Sequence, residues 1–329
     1  MSLKFKAFLV DMDDKKNHHN IKEITKEDLM QGDVFIKVEY SSFNFKDGLA
    51  VTGKIPIIKS FPMIPGVDFV GKVIESSNNK YKKNDSVILN GWGVGEKHFG
   101  GFSQYAQVNG DWLIHKPKKL SSEQSMIIGS AGYTASLCVL EIIQRIKPSS
   151  GKVLVTGASG GVGSIAVHLL AKLGYQVSAL SGKDKEFLDN LGASEVLGRN
   201  DFKTSSKPLQ SEKWAAAIDT VGSDILSSIL SEIKYDGIVA STGLAKGSEL
   251  NTTVFPFILR NITLSGIDCV YASNEKRIRA WKFLEDTIDL HILEDIKTIK
   301  SLKDIGKLSE DILLGKIKGR TVIDVNSNI

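Results

Sequence analysis

The stretch VTGASGGVGS, residues 155–164, constrains this chain more than any other. Ordering glycine is costly, so a cluster of them marks a backbone that must bend tightly or meet a ligand closely. The cluster follows the apolar run Val153-Leu154-Val155, which reads as a buried strand. It leads into SIAVHLLAKLG, where Ile165, Val167, Leu169, Leu170 and Leu173 supply the apolar face of a helix. A glycine turn between a strand and a helix is the setting of a dinucleotide fingerprint. Small residues let backbone N–H groups approach a pyrophosphate, and the helix N-terminus adds a positive dipole end. Ala158-x-Gly160-x-x-Gly163 fits with alanine first, and Gly161-x-Gly163-x-x-Ala166 fits with alanine last. The competing reading is a merely tight strand-to-helix turn.

The surrounding pattern supports the first reading. KVLVTG, YQVSALS, AAAIDTVG, GIVASTG and ITLSGIDCV read as strands, while VGSIAVHLLAKLG, KEFLDNLGA and SDILSSILSEI read as helices. Their alternation predicts a parallel sheet. Before about residue 120 the chain is turn-rich, with the short β-like runs FKAFLV, VFIKVEY, FVGKVIE and DSVILNGW. Ser121-Ser122-Glu123 resembles a helix start. Beyond residue 270, NEKRIRAWKFLEDTIDL is amphipathic and TVIDV reads as a last strand, a tail expected to return to the N-terminal domain.

The second strand of a nucleotide-binding unit distinguishes the two nicotinamide cofactors. An NAD site places Asp or Glu at its tip, about 20 residues on, to hold the ribose 2′-hydroxyl. Here the tip is Ser181-Gly182-Lys183, which offers a hydroxyl, a backbone N–H and a point charge. These suit a 2′-phosphate, so NADPH is expected. Asp184 follows and keeps NADH as the alternative.

Composition excludes other classes. The net charge is +4 on 329 residues, and the short pairs Lys15-Lys16 and Lys118-Lys119 read as solvated turns, so neither nucleic acid nor membrane is expected as a partner. The apolar stretch IIGSAGYTASLCVLEII, interrupted by Ser, Gly, Thr and Glu, reads as a buried helix that falls short of a membrane span. Two distant cysteines, Cys138 and Cys269, give neither a disulfide framework nor a cysteine-rich zinc site. The first residues, MSLKFKAFLVDMDD, lack an apolar signal core, so a cytoplasmic protein is expected.

SSFNFKDGLA (41–50), FPMIPGVDFVG (61–71), LNGWGVGEKHFGGFSQYAQV (89–108), GDWLIHKP (110–117), MIIGSAGYTA (126–135), TGASGGVGS, SGK, AAIDTVG and PFILRNITLSGID (256–268) occur in the order seen in one family. By these motifs the chain resembles the zinc-free medium-chain dehydrogenases/reductases, in the acryloyl-CoA reductase and quinone oxidoreductase subfamily. The resemblance implies an α/β protein. A GroES-like β-rich catalytic domain would cover residues 1–122 and 271–329. A Rossmann cofactor domain with a doubly wound parallel sheet would cover 123–270. It also implies homodimers through the cofactor domain.

The same resemblance bears on the site. Zinc-dependent relatives carry Cys where Asn44 stands and His-Glu where Val67-Asp68 stands, so no metal is expected. Asn44 and Asp68 become the catalytic candidates, with Asn44 able to donate from its amide to a developing enolate oxygen. Cofactor contacts carry over to Ser159, Gly160, Gly161 and Val162 on the turn. They carry over to Ser181, Gly182, Lys183 and Arg199 at the 2′-phosphate, and to Leu244 and Ile258 flanking the nicotinamide. Phe45 replaces a usual Tyr near the nicotinamide, Cys269 replaces a Ser, and Lys316 lies where the tail reaches the cofactor. The implied activity is NADPH-dependent reduction of an activated C=C bond, with a short enoyl-CoA as small-molecule substrate. Lys54, Lys59 and Lys97 are candidates for a basic rim toward CoA phosphates. Quinone reduction is the alternative within the family, and a non-catalytic NADPH-binding sensor is the alternative outside it.

Overall fold

The strand before the glycine turn, Val153–Thr156, lies inside a six-stranded sheet in the computed structural model, which describes residues 3–182 and 185–327. The order across the sheet is Glu195–Leu197, Val177–Leu180, Val153–Thr156, Trp214–Asp219, Ile233–Ser241 and Thr263–Gly266, all parallel. In chain order this is 3-2-1-4-5-6, the doubly wound arrangement, which reverses between its first and fourth strands. The glycine turn leaves the first strand at that reversal. Helix Gly161–Lys172 is buried all round from Gly163 to Leu170, and helix Ser223–Glu232 from Leu226 to Glu232. The strand from ITLSGIDCV is confined to Thr263–Gly266, and the short edge strand Glu195–Leu197 adds to those expected. Three residues carry too little alternation to be read.

By compactness the chain forms two units. One comprises Met1–Ser130, Cys269–Glu285 and Leu293–Ile329; the other comprises Ala131–Asp268 and Asp286–Ile292. The first unit is built on a seven-stranded sheet in the order Lys297–Ser301, Arg320–Asp324, Val34–Phe43, Asp68–Ser76, Ser86–Asn90 and Leu113–His115, with Tyr105–Val108 also paired to Val34–Phe43. The tail strand Arg320–Asp324 runs antiparallel to Val34–Phe43, with Thr321 opposite Phe43. Phe43, Met63, Ile64, Phe69 and Phe102 lie in the core of this unit.

Two elements were not read from the sequence. The segment after SSFN is a helix, Phe45–Thr52, closed by Gly53 in the left-handed region (φ 67). The sequence reading assigns this stretch no element; Gly48 interrupts its helical pattern, and the missing Cβ lets Ser309 and Ile312 pack close. Lys16–Thr25 is a full strand paired with Lys4–Asp13, although its sequence KNHHNIKEIT is largely polar and exposed.

The long apolar helix starts at Ser122, where Ser121 and Gln124 cap each other reciprocally at 2.9 and 3.0 Å. Its 22 residues are enough to cross a bilayer by length and composition, but 78% of its apolar window is buried inside the protein. It is also broken at Gly129, whose φ of 51 and ψ of −159 are non-helical.

Candidate functional site

The glycine turn is held open by small residues. Gly157 has φ 58, and a Cβ there would strike the Thr220 hydroxyl. A Cβ on Gly163 would lie 2.7 Å from the Ala158 Cα, so only glycine lets the helix start this close to the turn. The helix opens from Gly160 with no side chain capping its first-turn N–H groups. Such a terminus is ready for an anion. Ser159, Gly160, Gly161 and Val162 all lie on this turn, with the last three partly exposed.

The tip of the second strand meets the same turn. Ser181 Oγ donates to Ser159 Oγ at 2.8 Å, linking the two buried hydroxyls. The Arg199 side chain lies against Gly182, where a Cβ would come within 3.0 Å of its Cδ and Nε. Arg199 itself is exposed. Lys183 lies outside the described residues. Behind the turn, Asp219 is buried, and burial raises its carboxyl above the ordinary range despite its hydrogen bonds. It accepts from Thr156 Oγ1 at 2.7 Å and Gly222 N at 2.8 Å, fixing the loop beside the turn. The hydroxyls, the guanidinium and the uncapped N–H groups fit a phosphorylated dinucleotide.

In the other unit, Asn44 and Asp68 are brought together in a buried polar knot. Asp68 Oδ1 accepts from Ser42 N at 2.9 Å, and Oδ2 accepts from Ser42 Oγ at 2.7 Å. The break at Gly129 frees two backbone groups, and the knot takes both. Ser130 N donates to Asp68 Oδ2 at 2.6 Å, and Arg320 Nε donates to Ile127 O at 2.7 Å. A Cβ on Gly129 would lie 2.6 Å from Arg320 Nη2, so glycine is needed for packing as well as for φ. Arg320 Nη2 also donates to Ser42 Oγ at 2.9 Å. Arg320 is buried, and burial lowers its pKa to about 10 against the opposing pull of Asp68 and Asp47.

Asn44 is the half-buried member of this knot and the N-cap of helix Phe45–Thr52. Its Nδ2 donates toward Ser42 O and Ser42 Oγ, both at 3.1 Å, and toward Asp68 Oδ2 at 3.4 Å. Its Oδ1 accepts from Arg320 Nη1 at 3.3 Å. Both amide hydrogens therefore have partners within the protein.

Asp47 belongs to the same knot, and the sequence reading misses it. Its Oδ2 accepts from Asn44 N at 2.8 Å, and its Oδ1 accepts from Gly66 N and Val67 N at 3.2 and 3.1 Å. Burial, then the charge of Asp68, pushes its carboxyl up to about 7 against these hydrogen bonds. The Asn-x-x-Asp spacing of a capping box was the available signal.

The remaining candidates are divided between the two units. Phe45 opens the helix after Asn44, 38% exposed. Leu244 and Ile258 are exposed in the second unit. Cys269 O accepts from Arg277 Nη2 at 3.3 Å. Lys316 pairs with Asp311 at 3.7 Å on the surface.

Residues 30–118 match the family described as "Alcohol dehydrogenase GroES-like domain", and residues 161–286 match "Zinc-binding dehydrogenase". The chain is 46% identical over 324 residues to the Escherichia coli protein named "Probable acrylyl-CoA reductase AcuI", covering 97% of this chain and 99% of that one. It is 40% identical over 328 residues to the Bacillus subtilis "Putative quinone oxidoreductase YhfP", covering 98% and 99%. The solved Salmonella enterica yhdH oxidoreductase in complex with NADP superposes with a TM-score of 0.95 at 44% identity, covering 98% of this chain and all of that one.

The second family description implies zinc, and the knot does not fit it. Val67 has no donor atom, both Asp68 oxygens are hydrogen-bonded, and the cation already present is Arg320. Among the described residues, no three His, Cys, Asp or Glu side chains gather as a ligand set.

Proposed function

The chain belongs to the medium-chain dehydrogenase/reductase family, and we propose that within it the protein is an NADPH-dependent reductase of activated C=C bonds. Its substrate is acryloyl-CoA or another short enoyl-CoA. The observation that carries this reading is the near full-length similarity to the Escherichia coli protein named "Probable acrylyl-CoA reductase AcuI". The strand tip supports the cofactor: Ser181, Gly182 and Arg199 offer a hydroxyl, an open backbone and a positive charge, a set suited to a 2′-phosphate.

Bound NADPH supplies a hydride to the β-carbon of the enoyl group, and a proton from solvent reaches the α-carbon. The protein's part is to hold the thioester carbonyl as negative charge grows on its oxygen. We assign that contact to Asn44. Arg320 Nη1 pulls on the Asn44 carbonyl oxygen, which makes the amide hydrogens better donors. The long 3.4 Å contact from Asn44 to Asp68 is the one a substrate oxygen replaces. Asp68 is a positioning residue in this account: it anchors Ser42 and Ser130 around Asn44.

The reaction is zinc-independent in this reading, because the charge-bearing place in the knot is filled by Arg320. We place the enzyme in the cytoplasm as a homodimer. The edge strand Thr263–Gly266, with exposed Val254, Ile258 and Leu259 in and before the helix leading to it, supports self-association. Quinone reduction is the second reading, favoured by the name of the Bacillus subtilis relative.

The test is product analysis. With NADPH and acryloyl-CoA the purified protein forms propionyl-CoA, and in D2O one deuterium enters at the α-carbon and none at the β-carbon. A metal chelator leaves the rate unchanged. Absence of propionyl-CoA would overturn the activity, and loss of rate with chelator would overturn zinc independence.

A further inference from the structure

Two buried side chains of helix Asn274–Thr287 converge on one residue beside the polar knot. Arg277 and Trp281 stand four apart, so they share a face of the helix. Arg277 Nη1 donates to Asn90 O at 2.6 Å, and Trp281 Nε1 donates to Asn90 Oδ1 at 3.1 Å. Asn90 ends the strand Ser86–Asn90, stands opposite Asp68 in the sheet and is itself buried. Arg277 is anchored in turn: its Nε donates to Ala272 O at 2.9 Å and its Nη2 to Val270 O at 2.6 Å. All of these residues lie in the first unit, and so does Ser130.

An indole N–H can only donate, so the atom of the Asn90 amide that faces Trp281 must be the oxygen. That fixes the other end of the amide. Asn90 Nδ2 is turned to Ser130 and donates to its Oγ at 3.2 Å. Ser130 N donates to Asp68 Oδ2 at 2.6 Å. Ser130 follows the break at Gly129, so helical hydrogen bonding does not set the direction of its N–H. It is held by its hydroxyl on one side and by Asp68 on the other.

Asp68 Oδ2 accepts from Ser42 Oγ, from Ser130 N and, at 3.4 Å, from Asn44 Nδ2. The last contact is the one a substrate oxygen replaces. When Asn44 turns to the substrate, the charge on that oxygen rests on Ser42 and Ser130. If Ser130 N drifts, Asp68 draws Asn44 back and the developing enolate oxygen loses its donor. We propose that Asn90 is a positioning residue for the reduction. Oriented by Trp281 and Arg277, it holds Ser130 so that Asp68 stays satisfied while Asn44 serves the substrate. The inference rests on the enoyl-thioester reading and deepens it, because it names what steadies the donor as the reaction proceeds.

The experiment is a double-variant cycle on acryloyl-CoA reduction, with Asn90→Ala, Ser130→Ala and the two combined. The support is needed as charge develops, so kcat falls about tenfold in each single variant, while KM and the Kd for NADPH stay within about twofold. The combined variant falls no further than the more impaired single one, since both sever the same link. Trp281→Phe keeps an aromatic ring and frees the Asn90 amide to turn, so kcat falls about threefold. An unchanged kcat in Asn90→Ala would overturn the role, as would losses that multiply to about a hundredfold in the combined variant. A raised KM with kcat retained would also overturn it, because that marks a defect in substrate binding. A Trp281→Phe rate equal to that of the unmodified protein would remove Trp281 from the account. Should Asn90→Ala fail to fold, Ser130→Ala leaves Asn90 bonded to Trp281 and Arg277, and kcat retained in that variant sinks the proposal alone. If the unmodified protein does not reduce acryloyl-CoA, the enoyl-thioester reading fails and this role falls with it. If it does and the losses multiply, only this role fails.

Discussion

The glycine turn and the polar knot solve different problems with different materials. The turn, residues 157–163 with the strand tip at 181–182, binds through backbone N–H groups and small side chains. Its parts are nearly contiguous in sequence, and its geometry follows from one strand, one helix and a parallel sheet. The knot joins Ser42, Asn44, Asp47, Asp68, Ser130 and Arg320, whose side chains or freed backbone groups complete one another's hydrogen bonds. Backbone sites are encoded locally and fail one contact at a time. Buried side-chain networks are encoded across the chain and fail together.

That contrast can be broken in order of expected effect. Arg320→Met removes the cation and leaves Asp68 charged and buried, with Ile127 O unpartnered. The expected loss is about 3–5 kcal/mol in urea unfolding, together with loss of reductase activity. A loss near 1 kcal/mol would mean the knot is not cooperative.

Asp47 gives the next effect, read through pH. Its carboxyl sits at about 7 in the folded protein against an ordinary 3.8, so the folded state keeps a proton that the unfolded chain releases. Across that window the folded state binds more protons, so this group makes stability fall as pH rises, by about 1.4 kcal/mol per pH unit. Denaturant midpoints measured across the window in the unmodified protein and in Asp47→Asn should differ in slope, with the variant flatter. Parallel slopes would remove Asp47 as the source.

The smallest effect belongs to the turn. Arg199→Ala should weaken NADPH by about tenfold and NADH by less than about twofold, measured as Kd by fluorescence, with stability essentially unaltered. Equal weakening of both cofactors would show that Arg199 does not face the 2′-phosphate.

The difference in encoding also explains which parts of the molecule are legible in the sequence. The parallel sheet was legible because each strand and helix carries its own periodicity and the glycine turn adds a local signature, while its doubly wound arrangement came from resemblance. The strand tip Ser181-Gly182 could be located by counting along the second strand. Asn44 and Asp68 came from resemblance rather than from periodicity. Arg320 was invisible as a partner, because it reads as one more basic residue in GKIKGR and joins the knot only when the tail strand aligns with Val34–Phe43. Asp47 was not singled out, because Gly48 interrupts the pattern of the helix that begins at Phe45. Gly129 sat inside an apolar run, and nothing local marks it as the break that frees Ile127 O and Ser130 N.

The most direct test of the account is the ratio of kcat/KM for acryloyl-CoA to that for 1,4-benzoquinone, measured by NADPH oxidation with one preparation of the protein. The account predicts a ratio well above one, with propionyl-CoA formed in step with NADPH consumed. Turnover with the quinone and none with acryloyl-CoA would contradict it and make this family member a quinone reductase.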